Sequence, residues 1–266
     1  MTSSELNHLQ SLLPLACALA DVARQRTVPL FRTPLEVTAK LDDSPVTVAD
    51  RSAEASMREM LAARVPDHGI LGEEHGRERM DAEWLWVLDP IDGTKSFITG
   101  SPLWGTLIAL LHHGQPVLGV LDMPVLDERW LAVRTQATQC NEQAVRVSDC
   151  ENLTQARVYT TSPDAFKALE WAAFDALSRV CVLRRFGGDC YSYAQLAGGY
   201  IDLVVEAGLR PYDYLAMVTL VQQAGGIISD WDGQPLGISS DGRVVAAATP
   251  ALHAQALVHL RGAGSA

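Results

Sequence analysis

The apolar run Trp84-Leu85-Trp86-Val87-Leu88 ends abruptly in Asp89-Pro90-Ile91-Asp92-Gly93-Thr94. Such a run reads as a buried strand. Pro90 fixes its own φ and pushes Asp89 into extended geometry, so both acidic side chains are held in a stiff turn. Gly93 and Thr94 then open a helix whose first amide protons have no intrachain partner. Carboxylates beside free amides at a helix N-terminus make a place for hard cations and the phosphate they bridge. The same residues also spell an ordinary capped strand-to-helix turn, since Asp-Pro and Asp-Gly are common turn formers.

Two further junctions repeat the theme. Pro66-Asp67-His68-Gly69-Ile70-Leu71-Gly72-Glu73-Glu74 is a turn, a short apolar strand and a glycine that releases paired glutamates. Adjacent like charges repel by up to a few kcal/mol at an effective dielectric of about 20, which either solvation or a cation relieves. Gly208-Leu209-Arg210-Pro211-Tyr212-Asp213 places another acid where a helical pattern begins, a position where Asp also serves as an N-cap. Each junction has an ordinary structural explanation alone; together they are what a shared metal site requires.

The remaining patterns set the fold class. Leu9, Leu12, Leu13, Ala16, Leu19, Ala20 and Ala23 follow helical spacing, with Pro14 near the start of that helix or kinking it. Residues 33–50, with Pro34 and Pro45, read as a loop or β-ribbon that could form a mobile flap. Residues 51–64 are helical with Asp50 as N-cap. Residues 106–111 and 116–121 flank His112-His113-Gly114-Gln115, a hairpin signal, and 129–133 add a strand to an antiparallel sheet. His112 and His113 read as turn residues, because nothing at ligand spacing accompanies them in the sequence. The second half alternates: strands at 158–161, 180–183, 201–205 and 244–248, helices at 164–177, 191–197, 213–224 and 250–260. Alternation implies a layered α/β unit, with a boundary near Asp149 between halves 1–149 and 150–266.

Gly72-Glu73-Glu74, Asp89-Pro90-Ile91-Asp92-Gly93-Thr94 and Asp213-Tyr214-Leu215-Ala216 followed by Ala224-Gly225-Gly226 together resemble the inositol monophosphatase-like superfamily of magnesium-dependent, lithium-sensitive phosphatases. The likeness runs from about residue 40 to the C-terminus. It implies a sandwich of alternating helix and sheet layers of the inositol monophosphatase and fructose bisphosphatase type, α/β in class, with the site between the halves. It also implies two or three Mg²⁺ ions held by Glu73, Asp89, the Ile91 carbonyl, Asp92 and Asp213. Thr94 and Asp50 would orient the attacking water, with Glu73 an alternative base, and the Gly93 and Thr94 amides would hold phosphate. Asp189 and Glu206 would read the leaving group, although Asp189 also reads as the N-cap of the helix at 191–197.

Where relatives acting on inositol phosphates carry Trp-Asp-x-x-Ala-Gly, this chain has Tyr212-Asp213-Tyr214-Leu215-Ala216-Met217. That form, with Lys40-x-Asp42-x-Ser44-Pro45-Val46-Thr47 and Gly187-Gly188-Asp189-Cys190-Tyr191, resembles the histidinol-phosphatase branch. The expected reaction is therefore hydrolysis of L-histidinol phosphate by metal-activated water, a step of histidine biosynthesis. Inositol monophosphate or another small phosphate ester is the nearest alternative, and a non-catalytic regulatory role the more distant one. The resemblance also implies a homodimer.

Net charge bears on partners. At −11 the chain is unsuited to nucleic acid or an anionic membrane, and would itself repel a phosphate dianion unless bound Mg²⁺ reversed the local sign. Five widely spaced cysteines without Cys-x-x-Cys are neither a disulfide framework nor a zinc site, and suit a reducing cytoplasm. The apolar stretch at 12–20 lacks the positive flank of a signal peptide and is too short to span a bilayer.

Overall fold

Along the nine residues Trp84–Asp92, the side chains of Trp84, Trp86 and Leu88 join one hydrophobic core while Leu85 and Val87 join another. A strand alternates its faces with period 2, so this one element has a core on each side. The computed structural model describes residues 1–34, 37–39 and 45–261. Its helices are α1 (Ser3–Thr27), α2 (Val48–Arg64), α3 (Thr94–Thr99), α4 (Ala168–Val180), α5 (Tyr191–Ala197), α6 (Pro211–Gln223) and α7 (Pro250–Leu260).

The strands fall into three sheets in chain order. β1 (Thr38–Ala39) and β2 (Pro45–Val46) pair as an antiparallel ribbon. The second sheet comprises β3 (Gly69–Gly72), β4 (Gly76–Glu78), β5 (Trp84–Asp92), β6 (Gly105–His112), β7 (Gln115–Met123), β8 (Glu128–Val133), β9 (Gln139–Cys140) and β10 (Gln143–Ala144). Its order is β10-β9-β8-β7-β6-β5-β3-β4, antiparallel except for β3 beside β5. The third sheet comprises β11 (Arg157–Thr160), β12 (Leu183–Phe186), β13 (Leu203–Glu206), β14 (Ile227–Ser229) and β15 (Val244–Ala247), in the order β12-β11-β13-β15-β14.

Hydrophobic faces stack these elements into alternating layers. Leu9, Leu12, Ala16 and Leu19 of α1 and Met57 and Leu61 of α2 cover Trp86, Leu88 and Ile108 on one side of the large sheet. On its other side lie Tyr193 and Leu196 of α5 and Tyr214, Met217 and Leu220 of α6. Those two helices reach Tyr159, Val204 and Ala246 of the five-stranded sheet with the same core. Phe174, Leu177, Leu252 and Leu257 of α4 and α7 then close its far face over Val158, Leu203 and Val245. The alternating helix and sheet sandwich expected above is thus realised, and no helix of the described residues is long and apolar enough to cross a membrane.

Close approach of α6 to the large sheet depends on Gly119. A Cβ there would lie 2.2 Å from the Ala216 carbonyl oxygen, a backbone atom that side-chain motion cannot clear. Gly119 is flanked in register by Ala109 on β6 and Ala132 on β7's other neighbour, β8, so a row of small residues makes the bed for the helix.

Four local expectations are corrected. The helix expected at 164–177 is a single 3₁₀ turn, Pro163–Ala165, followed by α4, and the strand expected at 180–183 is displaced to Leu183–Phe186. Val180 ends α4 and Val182 is 66% exposed, so that apolar run belongs to a helix end and an edge, which periodicity cannot separate from a strand. Asp50 is not the N-cap of α2; Thr47 is, and Asp50 sits three residues in, accepting hydrogen bonds from the Thr47 amide (2.8 Å) and hydroxyl (2.6 Å). His112 is the last residue of β6 and buried, leaving His113 and Gly114 as the turn, both with positive φ. The Lys40-x-Asp42-x-Ser44 part of the expected motif, and with it much of the flap, lies outside the described residues.

Candidate active site

The carboxylates meet where β5 breaks off. Its pairing with β6 slips between Asp89 and Asp92, because Pro90 has no amide to donate and the chain bulges there. The bulge is closed locally: Ile91 donates its amide to Asp89 Oδ1 (3.0 Å), Thr106 donates its hydroxyl to the Pro90 carbonyl (2.8 Å), and Thr94 its hydroxyl to the Ile91 carbonyl (3.2 Å). Gly93 then takes φ +83° as the cap of α3, a conformation costly for any residue with a Cβ. From the facing layer, α6 presents Asp213 in its first turn, fixed by the Arg210 amide to Asp213 Oδ2 (2.7 Å).

Ligand atoms of Asp89, Asp92 and Asp213 all lie within 4.8 Å of one another. Glu73, just past β3, lies near enough for its charge to act on Asp89. Burial, then Glu73, Asp92 and Asp213, hold the Asp89 carboxyl well above the usual carboxylate range. Burial, followed by the Asp92 charge, does the same to Asp213. Burial and then Asp189 push Asp92 up to about 7, although the Cys190 amide donates to it at 2.8 Å. Carboxylates packed so closely must either keep protons or share a cation, and an all-oxygen donor set is what Mg²⁺ prefers. The residues present therefore fit a hard divalent ion.

The turn carrying Glu73 is anchored from α2. Glu54, fully buried, accepts the Glu74 amide (2.6 Å) and the His75 amide (3.1 Å), and Arg58 donates to it at 2.7 Å. A Cβ on Gly72 would overlap the Glu54 carboxylate, which explains glycine there. Glu54→Ala leaves two backbone amides and the Arg58 Nε–H unmatched, although Arg58 keeps Glu78 and the Gly76 carbonyl, so we expect a stability loss of about 2–3 kcal/mol and a higher Mg²⁺ requirement. Mg²⁺ titration of phosphate release checks this, and an unchanged half-saturation would separate the turn from the metal site.

Beside the cluster lies a cavity of about 140 Å³ lined by Asp92, Thr161, Asp189, Cys190, Tyr193, Glu206 and Asp213, among others. Glu206, the last residue of β13, is buried and accepts from the Thr161 amide (2.9 Å) and hydroxyl (2.8 Å) and from the Thr160 hydroxyl (3.2 Å). Burial pushes its carboxyl up to about 8, against the pull of those donors. Asp189 is not the N-cap of α5, which is Cys190; it sits at φ +43° and accepts the Ser96 hydroxyl at 2.6 Å, beside Gly93. A larger groove near α1 is lined by Arg24 and Arg129, but Asp122 pairs with both, and Asp127 and Asp21 with one each.

Sequence reasoning missed Tyr193, whose hydroxyl is buried without a hydrogen-bond partner in this cavity. Its spacing of four from Asp189 at a helix start was the available signal. Thr160 and Thr161 were also missed, since their contact with Glu206 crosses between neighbouring strands. Tyr212 stands beside the cluster: burial, then Glu73, Asp213 and Asp89, raise its phenol. Cys190 is buried, and burial followed by Asp92 holds its thiol far up, which favours the protonated form.

The inositol monophosphatase family pattern matches residues 8–264. A chloroplastic bifunctional phosphatase of Arabidopsis thaliana is 43% identical over 252 residues, 91% of this chain and 73% of that protein. A histidinol-phosphatase of Chlorobaculum parvum is 37% identical over 236 residues, 88% and 91% of the two chains. In three dimensions an inositol monophosphatase from Zymomonas mobilis matches with a TM-score of 0.87 at 43% identity, over 98% of this chain and 99% of that one. Likeness across nearly the whole chain, joined to an all-oxygen cluster around the buried Asp89, makes this protein a metal-dependent phosphatase of the inositol monophosphatase family.

Proposed function

We propose that the chain hydrolyses L-histidinol phosphate to L-histidinol and inorganic phosphate. The observation that carries this reading is the cavity beside the acidic cluster: Asp189 and Glu206 face it, and among the described residues no lysine or arginine lines it. One buried and one half-buried carboxylate favour a leaving group that carries an ammonium, and charge assistance strengthens each hydrogen bond it donates. Such a cation would also bring Glu206 down from its raised pKa to the ionised form. Tyr193 adds a hydroxyl free to bond the leaving group. The histidinol-phosphatase from Chlorobaculum parvum supports the same substrate.

Glu73, Asp89, the Ile91 carbonyl, Asp92 and Asp213 would hold two or three Mg²⁺ ions. When bound, these supply positive charge for the phosphate and make water more acidic. The Gly93 and Thr94 amides would orient the phosphoryl oxygens. Asp50, Thr94 and Glu73 are the groups that could take the proton from the attacking water as its oxygen bonds to phosphorus. The ester P–O bond breaks as that bond forms, and the departing alkoxide ends protonated as alcohol. Glu206 and Asp189 hold the amine throughout.

A neutral polyol phosphate is the second reading, favoured by the inositol monophosphatase likeness and by the fact that the same carboxylates accept from hydroxyls. Phosphate release from L-histidinol phosphate and inositol 1-phosphate, with Mg²⁺ and with EDTA, tests the two. We expect EDTA-sensitive preference for histidinol phosphate. Glu206→Gln should raise KM for it about ten- to a hundredfold, the worth of one charged hydrogen bond at about 1.5–3 kcal/mol, with little change for the polyol ester. Activity confined to inositol phosphate, or equal effects of the substitution on both substrates, would overturn the assignment.

A further inference from the structure

We propose that Glu83, His112 and His113 form a second divalent-metal site, selective for a borderline transition ion such as Zn²⁺ and separate from the acidic cluster. In sequence the histidines stand alone, but the fold supplies a third ligand. Trp84 pairs with His112 across β5 and β6, so Glu83, one residue earlier, falls opposite the turn. His113 donates its amide to the Glu83 carbonyl at 2.9 Å, fixing the two backbones together.

One ligand atom from each of the three side chains lies within 4.8 Å of the others. His112 Nε2 stands 3.0 Å from Glu83 Oε1, close to the edge of about 3.3 Å spanned by two ligands in a tetrahedron with bonds near 2.05 Å. The geometry is held from behind. The His112 ring is 6% exposed and packs on Trp84 with centroids 4.2 Å apart. His113, at φ +48° before Gly114 at φ +75°, is locked in a two-residue turn with its ring 4.3 Å from that of His112. Glu83 and His113 are exposed, leaving an approach for the ion and a fourth position for water.

Two imidazoles and one carboxylate suit Zn²⁺, Co²⁺, Ni²⁺ or Cu²⁺, whereas Mg²⁺ prefers oxygen alone. Glu83 and His112 sit at the start of β5 and the end of β6, while Asp89 and Asp92 sit at the far end of β5. At about 3.3 Å per residue the two sites are some 20–30 Å apart. An ion here would clasp the β6–β7 turn to the beginning of β5 without touching the reacting groups. The plainer account is an ion pair between Glu83 and His112 with His113 a bystander, and the two accounts differ in what they bind.

The experiment is Zn²⁺ binding to the untagged 266-residue chain by equilibrium dialysis, in millimolar Mg²⁺, beside the variants His113→Asn and Glu83→Gln. Both residues are exposed, and the His112–Trp84 contact involves neither of the substituted side chains. Wild type should bind one more Zn²⁺ than either variant, or bind it at least tenfold more tightly. It should also gain several degrees in Tm when Zn²⁺ stands about 100-fold above its Kd, a gain absent from the variants. Mg²⁺-dependent phosphate release, assayed after Zn²⁺ is removed, should be unchanged in both. Equal Zn²⁺ stoichiometry and affinity in all three proteins would overturn the site and leave the ion pair.

Discussion

Asp92→Asn is expected to lower kcat/KM by at least about 10³ at saturating Mg²⁺, while making the metal-free protein more stable. Several kcal/mol of charge stabilisation come from a divalent ion at a developing phosphate, and each 1.36 kcal/mol is tenfold in rate. An amide holds such an ion poorly, yet it can still accept the Cys190 amide that now bonds Asp92 Oδ2. The stability gain follows from the raised carboxyl. Its pKa moves from 3.8 in the open chain to about 7 in the fold, so the folded protein binds the extra proton between these values. Metal-free stability is therefore lost as pH rises from about 4 through about 7, and stays lost above that. Asparagine never ionises, so in EDTA at pH 8 the variant should be more stable than wild type by a few kcal/mol, with a correspondingly higher Tm. The gap should close as the pH falls toward 4. Phosphate release and thermal melts with and without EDTA measure both halves. Activity within tenfold of wild type would remove Asp92 from the ligand set; an unchanged metal-free Tm would show that buried charge is not what the cation relieves.

Gly119→Ala should be among the costliest single-methyl changes in the protein. The new Cβ would sit 2.2 Å from the Ala216 oxygen and 3.1 Å from its carbonyl carbon, so α6 must lift or β7 must sink. Overpacking of this kind costs about 1–3 kcal/mol and occasionally more, and a clash with backbone belongs at the upper end. The displacement reaches the site, because α6 carries Asp213 in its first turn. We expect at least about 3 kcal/mol in urea unfolding and more than a tenfold fall in activity well below the variant's Tm. A loss under about 1 kcal/mol would mean that the helix does not rest on the sheet at this point.

Gly119 illustrates why part of this architecture is invisible in one dimension. Its neighbours Ala109 and Ala132 are ten and thirteen residues away, and only the antiparallel register lines the three up. By contrast, the carboxylate-bearing turns are local. Asp89 and Asp92 are fixed by the missing amide of Pro90 and the positive φ of Gly93, both properties of single residue types. Helix starts were less legible. Asp50 and Asp189 each have a cap's chemistry, but the bonds they make are decided by where Thr47 and Ser96 lie. The edge strand β12 was displaced by three residues because its position is set by pairing with β11, while its own apolar residues stay exposed.

The sequence alone determined the alternation of strands and helices in the second half, the acidic turns at strand ends and helix starts and the family they resemble, because each rests on nearest-neighbour backbone chemistry and on hydrophobic period. It did not determine that the Glu73 turn leads into a strand, β4. Only the tertiary structure decided which acids come within 4.8 Å, that Tyr193 and the Thr160-Thr161 pair surround Glu206, and that Glu83 stands opposite His112 and His113. Those are contacts between residues far apart along the chain, and their partners are chosen by sheet register and layer packing, which no local pattern encodes.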